Sequence, residues 1–316
     1  RRIVKKNDIG TLYPVYGGGG ETFRTDAFNR TDRLIISRFA MSPRCVRRVS
    51  GKFFLNDSGF TVKLKNTELC LEDYLNNILI NIQDRIYNCG KGAAQKNINF
   101  GLFLDLKIPL PTIEIQKEIV EELEQFRKII DGAKQVVDNY KPHFEIDESW
   151  EKVQLSKIIK LSSGSSLSKK NMKKGDYLVY GGNGVNGTHN DYFLENPTIV
   201  IGRVGENCGS VHMTEKKSWV TDNGLYVKEI KIEINEFFLA QSIKQIDLNR
   251  FKKVGGQPSI SQGTVLDKFI RVPKIDIQNL IVEKIKEERK IIIGIKKLIE
   301  IYSKKIEDRI NKIWGE

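Results

Sequence analysis

The 316-residue chain holds only four cysteines, three histidines and eight prolines, and no uninterrupted apolar run of membrane-spanning length. Cys45, Cys70, Cys89 and Cys208 are scattered, with no C-x-x-C pair, and His143, His189 and His212 have no partner at ligand spacing. Neither a disulfide framework nor a zinc site is expected, and a reducing cytoplasm is the expected compartment. A spanning helix needs about 18 consecutive apolar residues, so no membrane partner is expected. The opening stretch, RRIVKKNDIG, carries no apolar segment of signal-peptide length. Catalytic patterns are missing too. The chain has no N-P-P-Y-type methyltransferase tetrad, no P-D…E-x-K nuclease core, no phosphate-binding Walker loop and no G-x-S-x-G elbow. A chain of this length without a catalytic constellation is expected to be a binding subunit and not an enzyme.

Positive charge and repetition are what the chain does have. Lys and Arg number 52 against 40 Asp and Glu, a formal net charge of +12 with pI near 9.3. That surplus points to a polyanion partner. The apolar and aromatic fractions, 40% and 9%, suit a globular protein, and the length suits two domains.

The segment YPVYGGGG at 13–20 returns as YLVYGGNG at 177–184, and the likeness continues. Asp26 and Phe28 fall on Asp191 and Phe193, LIISR (34–38) on IVIGR (199–203), and Lys52 on Lys217. FLNDSGFTVK (54–63) lies over WVTDNGLYVK (219–228), and QKNI (95–98) over QPSI (257–260). PTIEIQKEIV (111–120) then matches PKIDIQNLIV (273–282), and RKIIDG (127–132) matches RKIIIG (289–294). Two small gaps over such a distance mark a tandem duplication. Residues 150–164, WEKVQLSKIIKLSSG, have no counterpart ahead of Arg1. The first copy is therefore expected to lack its first strand, or the chain to be a piece of a longer one.

Each repeat reads as a compact α+β domain followed by a long helix. Strands are expected at 150–159, 176–180, 197–203 and 224–230, between glycine and asparagine turns, and helices at 71–82 and 235–244. Aromatic residues in the strands are expected in the core. Ile119, Leu123, Phe126, Ile130, Ala133, Val137 and Tyr140 recur at alternating spacings of four and three. Ile281, Ile285, Ile292, Ile295, Ile299, Tyr302, Ile306 and Ile313 do the same, interrupted by Glu288. These are heptad stripes, and both helices start just after a proline, Pro111 or Pro273. Each stripe could pack on its own domain or on the other helix; mutual packing is expected, because the stripe is narrow and both helices carry it. The expected organisation is a first domain over 1–111, a spacer helix and linker over 112–149, a second domain over 150–273 and a second spacer helix over 274–316. An antiparallel coiled coil would relate the two domains by a pseudo-two-fold axis. A helix of about 28 residues spans roughly 42 Å, comparable with the ~34–36 Å turn of B-DNA.

The glycine-rich loops follow a strand without opening a helix, so their glycines serve tight turns or close backbone approach. Their polar residues differ between copies: Arg24 and Thr25 in one; Asn183, Asn186, Thr188 and His189 in the other. A shared frame with differing tips suits two heads that read different targets, although loop drift would leave the same pattern. From Arg33 to Lys52 stand Arg33, Arg38, Arg44, Arg47, Arg48 and Lys52 with no acid. In the second copy Lys169, Lys170, Lys173, Lys174, Lys252 and Lys253 flank the domain. Lys91, Lys96 and Arg203 complete the expected DNA-binding set. Arginine suits phosphates and guanine edges, while lysine acts through phosphate and counterion release.

With its two YxVYGG segments, DSG and DNG turns and the twice-used proline–glutamine helix start, the chain resembles the specificity subunit of type I restriction-modification systems over essentially its full length. The resemblance implies two target recognition domains, each reading one half of a bipartite asymmetric site on double-stranded DNA through the major groove. It implies an antiparallel coiled coil that binds two methyltransferase (modification) subunits, with restriction subunits in the larger complex. S-adenosylmethionine, ATP and magnesium would then belong to those partners, and this chain would hold no cofactor. Two rival readings remain: the recognition region of a single-chain methyltransferase-endonuclease, and a coiled-coil scaffold without nucleic acid.

Overall fold

A computed structural model describes residues 2–5, 10–93, 95–253 and 255–314. Its contacts divide the chain into two units, Arg1–Asp138 with Ile295–Glu316, and Asn139–Gly294.

The first unit opens with β1 (Tyr13–Gly17), β2 (Gly20–Thr25), β3 (Arg30–Ser37), β4 (Val46–Leu55) and β5 (Gly59–Thr61). They form one sheet in the order β2-β1-β4-β3-β5. Helices α1 (Glu72–Asn81) and α2 (Gln83–Asn88), the short pair β6 (Gly90–Lys91) and β7 (Asn97–Ile98), α3 (Phe100–Leu104) and the long α4 (Ile113–Asn139) follow. The main core sets Leu34, Ile36 and Val46 of the sheet against Tyr74, Ile78 and Ile86 of the helices. Burying each such side chain contributes about 1.5–3 kcal/mol.

The second unit contains β8 (Glu151–Gln154), α5 (Leu155–Ile158), β9 (Ile159–Ser163), β10 (Tyr177–Gly181), β11 (Gly184–His189) and β12 (Ile199–Gly202). Next come β13 (Val211–Met213), β14 (Trp219–Val220), β15 (Gly224–Ile230), α6 (Glu236–Gln245), α7 (Gln262–Leu266) and β16 (Phe269–Val272). Its sheets run β11-β10-β14, β13-β12-β15-β9 and β16-β8. Helix α8 (Ile275–Trp314) ends the chain and supplies residues to both units.

The duplication is visible strand by strand. β1 pairs in parallel with β4 through Val15↔Phe54 and Tyr16↔Leu55; β10 pairs in parallel with β14 through Val179↔Trp219 and Tyr180↔Val220. The single strand β4 covers what the second unit divides into β13 and β14, because Lys217 there takes a left-handed φ of 52° and breaks the run.

The stretch 150–159, expected as one strand, is β8, a single helical turn and the start of β9. Leu155 and Ile158 are both fully buried. Residues three apart face the same way on a helix but opposite ways on a strand, so only the turn buries both.

Gln116 and Gln278, the glutamines of the repeated helix start, are buried and perform the same task. Gln116 Nε2 donates to the carbonyls of Pro111 and Leu69, at 2.8 and 2.9 Å, and its Oε1 accepts from Leu71 N, at 2.9 Å. Gln278 Nε2 donates to the Pro273 carbonyl at 2.8 Å and Oε1 accepts from Asn235 N at 2.9 Å. Each glutamine thus ties the first turn of a long helix to the chain entering α1 or α6. A buried backbone N–H must find a partner, and here the partner is a side chain more than forty residues further along the chain.

All the stripe residues of α4 and α8 named above are buried or half-buried. Ile119 and Leu123 pack at once on the α1–α2 core and on Ile310 of α8, so own-domain packing and helix-to-helix packing coexist. Arg309 Nε meets Glu122 Oε2 at 2.6 Å and Tyr302 meets Phe126 edge-on at 5.4 Å. As α4 advances, its partners on the end of α8 step backward. In the second unit Tyr140 OH donates to Glu288 Oε2 at 3.3 Å. Glu288, the break in the stripe, therefore has a hydrogen-bonding role. α4 has 27 residues, close to expectation, whereas α8 has 40 and spans about 60 Å; no proline follows Pro273 to stop it.

Candidate nucleic-acid interface

Each unit presents the same hairpin. β1 and β2 pair Tyr13↔Thr25 through Gly17↔Gly20, and β10 and β11 pair Tyr177↔His189 through Gly181↔Gly184, both with a bulge before the second tyrosine. Gly20 and Gly184 adopt φ of +125° and +93°, a region that disfavours side chains. A Cβ on Gly18 would stand 2.9 Å from the Phe39 carbonyl oxygen, and one on Gly182 3.1 Å from that of Val204. The glycines let the hairpin turn cross a neighbouring loop.

That neighbouring loop holds an arginine in each unit. Arg38 N donates to the Ser58 carbonyl at 2.8 Å and its own carbonyl accepts from Ile98 N at 2.9 Å. Arg203 N donates to the Asn223 carbonyl, and its carbonyl accepts from Ile260 N, both at 2.8 Å. Both side chains are exposed. The Arg38 guanidinium lies 4.8 Å from the Phe39 ring and 5.8 Å from the Phe100 ring, which limits its freedom while leaving its donors available.

The expected tip residues divide. Asn183 sits in the turn and accepts from Asn207 Nδ2 at 3.1 Å; Asn186 and Thr188 are exposed on β11. Asn186 folds over Gly181, whose Cβ would collide with it. Arg24 is exposed on β2, with Glu21 at 3.6 Å. Thr25 and His189 are not at the tips. They occupy equivalent places at the hairpin base, 3% and 7% exposed. His189 Nδ1 accepts from Lys173 N at 3.0 Å and its ring meets Trp219 edge-on. Strand alternation turns both inward, so they brace the hairpin.

The basic run from Arg33 to Lys52 is not one face. Arg47 pairs across the sheet with Ile35 and Arg48 with Leu34, so the two arginines point to opposite sides of β4. Acids distant in sequence approach it: Glu72 pairs with Arg33, and Asp73 lies 3.5 Å from Arg48. Arg47 is half-buried, and its Nη1 has no hydrogen-bond partner among the described residues. Arg44 is exposed; Lys52 lies over the Phe28 ring at 4.7 Å and Lys96 over Tyr87 at 4.0 Å. Lys91, Lys169, Lys170, Lys173, Lys174 and Lys253 are exposed, and Lys252 meets Glu206 at 3.3 Å.

Beside the second hairpin turn lies a pocket of about 450 Å³ lined by Asn183, Asn207, His212, Lys244 and Asn249 among others. Burial, reinforced by Lys244, holds His212 below its ordinary value, and burial with Arg289 lowers Lys244. Sequence reading missed these groups, since no local pattern brings His212 and Lys244 together. The four cysteines are buried, and burial pushes the Cys45 thiol up to about 11. Among the described residues no group of three or more His, Cys, Asp or Glu could hold a metal ion, and no helix is long and apolar enough to cross a membrane.

The sequence matches the model of the type I restriction modification DNA specificity domain twice, over residues 34–138 and 147–302. The chain belongs to that family. Specificity-domain structures show the same fold. The S subunit of a type I restriction-modification system from M. genitalium aligns over 99% of this chain and 91% of its own, with 20% identity and a TM-score of 0.55. A chain from a study of complex assembly and conformational transition in the type I restriction-modification system aligns over 96% and 91%, with 12% identity and a TM-score of 0.60. No curated protein matches the sequence. The first match takes in Arg38 but begins after the first hairpin, whereas the second takes in both the β10–β11 hairpin and Arg203.

Proposed function

We infer that this chain is the non-catalytic DNA-recognition subunit of a type I restriction-modification complex. Each unit reads one half of a bipartite asymmetric site. The observation that carries this reading is the repeated hairpin, identical in register, set beside an equally anchored exposed arginine, with tip side chains that differ between units. Arg38 and Arg203 hold phosphate at a constant place in each unit. Arg24, Asn183, Asn186 and Thr188 reach the base edges; asparagine suits adenine, and the arginine fork suits guanine.

The heptad stripes form an antiparallel coiled coil, supported by the Glu122–Arg309 and Phe126–Tyr302 contacts. The coil sets the spacer between half-sites and docks two methyltransferase subunits, while restriction subunits join through them. S-adenosylmethionine, ATP and magnesium belong to those partners. Exposed Arg44, Lys91, Lys169, Lys170, Lys173, Lys174 and Lys253 add salt-dependent attraction to the backbone.

Selection of duplex sites by the chain with its methyltransferase, at two salt concentrations, tests the reading. A bipartite site should be enriched and affinity should fall steeply with salt. Arg203→Ala should weaken all sites alike by roughly tenfold, about 1.4 kcal/mol, whereas Asn183→Ala should relax one half-site only. Enrichment of no site, with no salt slope, would refute it.

A further inference from the structure

The two hairpin turns rest on different side chains that occupy one and the same place. Arg47 of β4 pairs with Ile35, and His212 of β13 pairs with Val200. The neighbouring pairs, Leu34↔Arg48 and Ile199↔Met213, keep the two units in one register, so Arg47 and His212 are structural equivalents. Each lies behind the glycine that opens the returning strand of its hairpin. A Cβ on Gly20 would stand 3.4 Å from Arg47 Nη1, and one on Gly184 3.3 Å from His212 Cε1. Both glycines have positive φ, 125° and 93°, so each turn presents bare backbone to the side chain behind it.

The carbonyl two residues before each of these glycines is also held, but from different strands. Ser37 Oγ, on β3, donates to the Gly18 carbonyl at 2.6 Å; Ser210 Oγ, just before β13, donates to the Gly182 carbonyl at 2.7 Å. The counterpart of Ser37 is Gly202, where a Cβ would stand 2.1 Å from the Gly182 carbonyl oxygen. The counterpart of Ser210 is Cys45, whose thiol donates to the Gln83 carbonyl instead. Moving the serine brings it to the histidine, since Ser210 Oγ also lies 3.2 Å from His212 Nε2. With the hydroxyl hydrogen directed at Gly182, Nε2–H must be the donor to Ser210, and the neutral ring keeps its lone pair on Nδ1. In the first unit Arg47 Nη2 donates to the Arg44 carbonyl at 2.8 Å, and Nη1 has no hydrogen-bond partner among the described residues. The imidazole shares its pocket with the titratable groups Glu206, Cys208, Lys244 and Asp247. Lys244 on α6 opposes a positive charge on the ring, and Glu206 is engaged with Lys252 at 3.3 Å.

We propose that Arg47 and His212 are the positioning residues of the two hairpin turns, and that protonation of His212 weakens discrimination by the second unit alone. The proposal rests on the reading of these hairpins as the parts that contact base edges. An imidazolium beside the Lys244 ammonium is repelled from its seat on Gly184. The chain from Nε2 through Ser210 to the Gly182 carbonyl then loosens, and Asn183, the next residue, loses its fixed pose. The guanidinium of Arg47 keeps its charge at every working pH, so the first turn has no such response. The charge added at His212 attracts every duplex alike through its phosphates. The effect is therefore read in the ratio of affinities for a correct and a substituted half-site.

Amide resonances of the full chain labelled at glycine, followed from pH 8 to 5.5, test the seat without DNA. Signals of Gly182 and Gly184 should move together with a midpoint below 6.5, the ordinary histidine value, while those of Gly18 and Gly20 stay still. His212→Arg should abolish the movement. Duplex selection by the chain with its methyltransferase supplies the site, and Asn183→Ala identifies the half read by the second unit. Discrimination against one substituted base in that half should fall about fivefold or more between pH 7.5 and 5.5, and less than about twofold in the other half. Arg47→His should confer the same fall on the first half, a transfer that a general loss of stability would not produce. Glycine signals that ignore pH, or two half-sites that respond alike, would overturn the proposal. Selection of no site at any pH would refute the reading of DNA instead, and the glycine signals would then decide by themselves whether His212 holds the turn.

Discussion

Gln116 and Gln278 show what a single side chain decides here. A glutamine five residues after a proline looks unremarkable in a helical stretch, yet each fills a buried position and satisfies backbone groups from two elements. Replacing Gln278 by alanine leaves the Asn235 N–H and the Pro273 carbonyl without partners, at a cost of about 2–4 kcal/mol. Urea unfolding would measure this, and a loss below about 1 kcal/mol would mean that water replaces the side chain. His212 allows a prediction with a definite sign. Because burial lowers it below 6.5, the unfolded chain takes up a proton there at a higher pH than the folded chain does. Its contribution to the second unit's stability is therefore intact above about pH 6.5 and is lost progressively below it. Unfolding midpoints at pH 7.5 and 5.5 should differ less in His212→Asn than in the parent. The residue scale is also where the sequence is least legible. Loop composition groups Thr25 and His189 with the tips, because it does not reveal which side of a hairpin strand faces inward. Composition groups Arg47 with Arg48 although adjacent strand residues face opposite ways, and no local pattern places Asp73 beside Arg48, 25 positions earlier.

At the scale of elements, the repeated YxVYGG segment encodes a hairpin, a bulge and a loop crossing. All three were implicit in the sequence, because the glycines fall where φ turns positive or backbones touch. The heptad stripes were equally legible, since periodicity is local. What the stripes touch was not. Ile119 and Leu123 serve the α1–α2 core and α8 together, an outcome that periodicity treats as a choice between two. The Phe126–Tyr302 contact measures the helix pairing apart from that core. Phe126→Ala should destabilise the first unit by about 2 kcal/mol, less than for a fully buried phenylalanine, and Tyr302→Ala should be non-additive with it. Strict additivity in a double-mutant cycle would show that the two rings act separately.

For the whole molecule, the specificity-domain family and the net charge of +12 lead to one expectation about function: recognition and spacing are separable. Inserting one heptad into both α4 and α8 lengthens each by about 10 Å and keeps the apolar stripe in phase. Sites selected by such a protein should retain both half-sites with a longer spacer. An unchanged spacer would remove the helices from any measuring role.

The sequence by itself determined the duplication, the strand and glycine pattern of each head, the striped helices and the absence of known catalytic motifs, because each is a matter of local periodicity or residue type. Only the tertiary structure decided which polar residues face outward, which cations are neutralised by distant acids, and where Gln116 and Gln278 find partners. The reason is physical: charge pairing, burial and hydrogen bonding act between segments far apart along the chain, and their energies depend on distances that no local pattern contains.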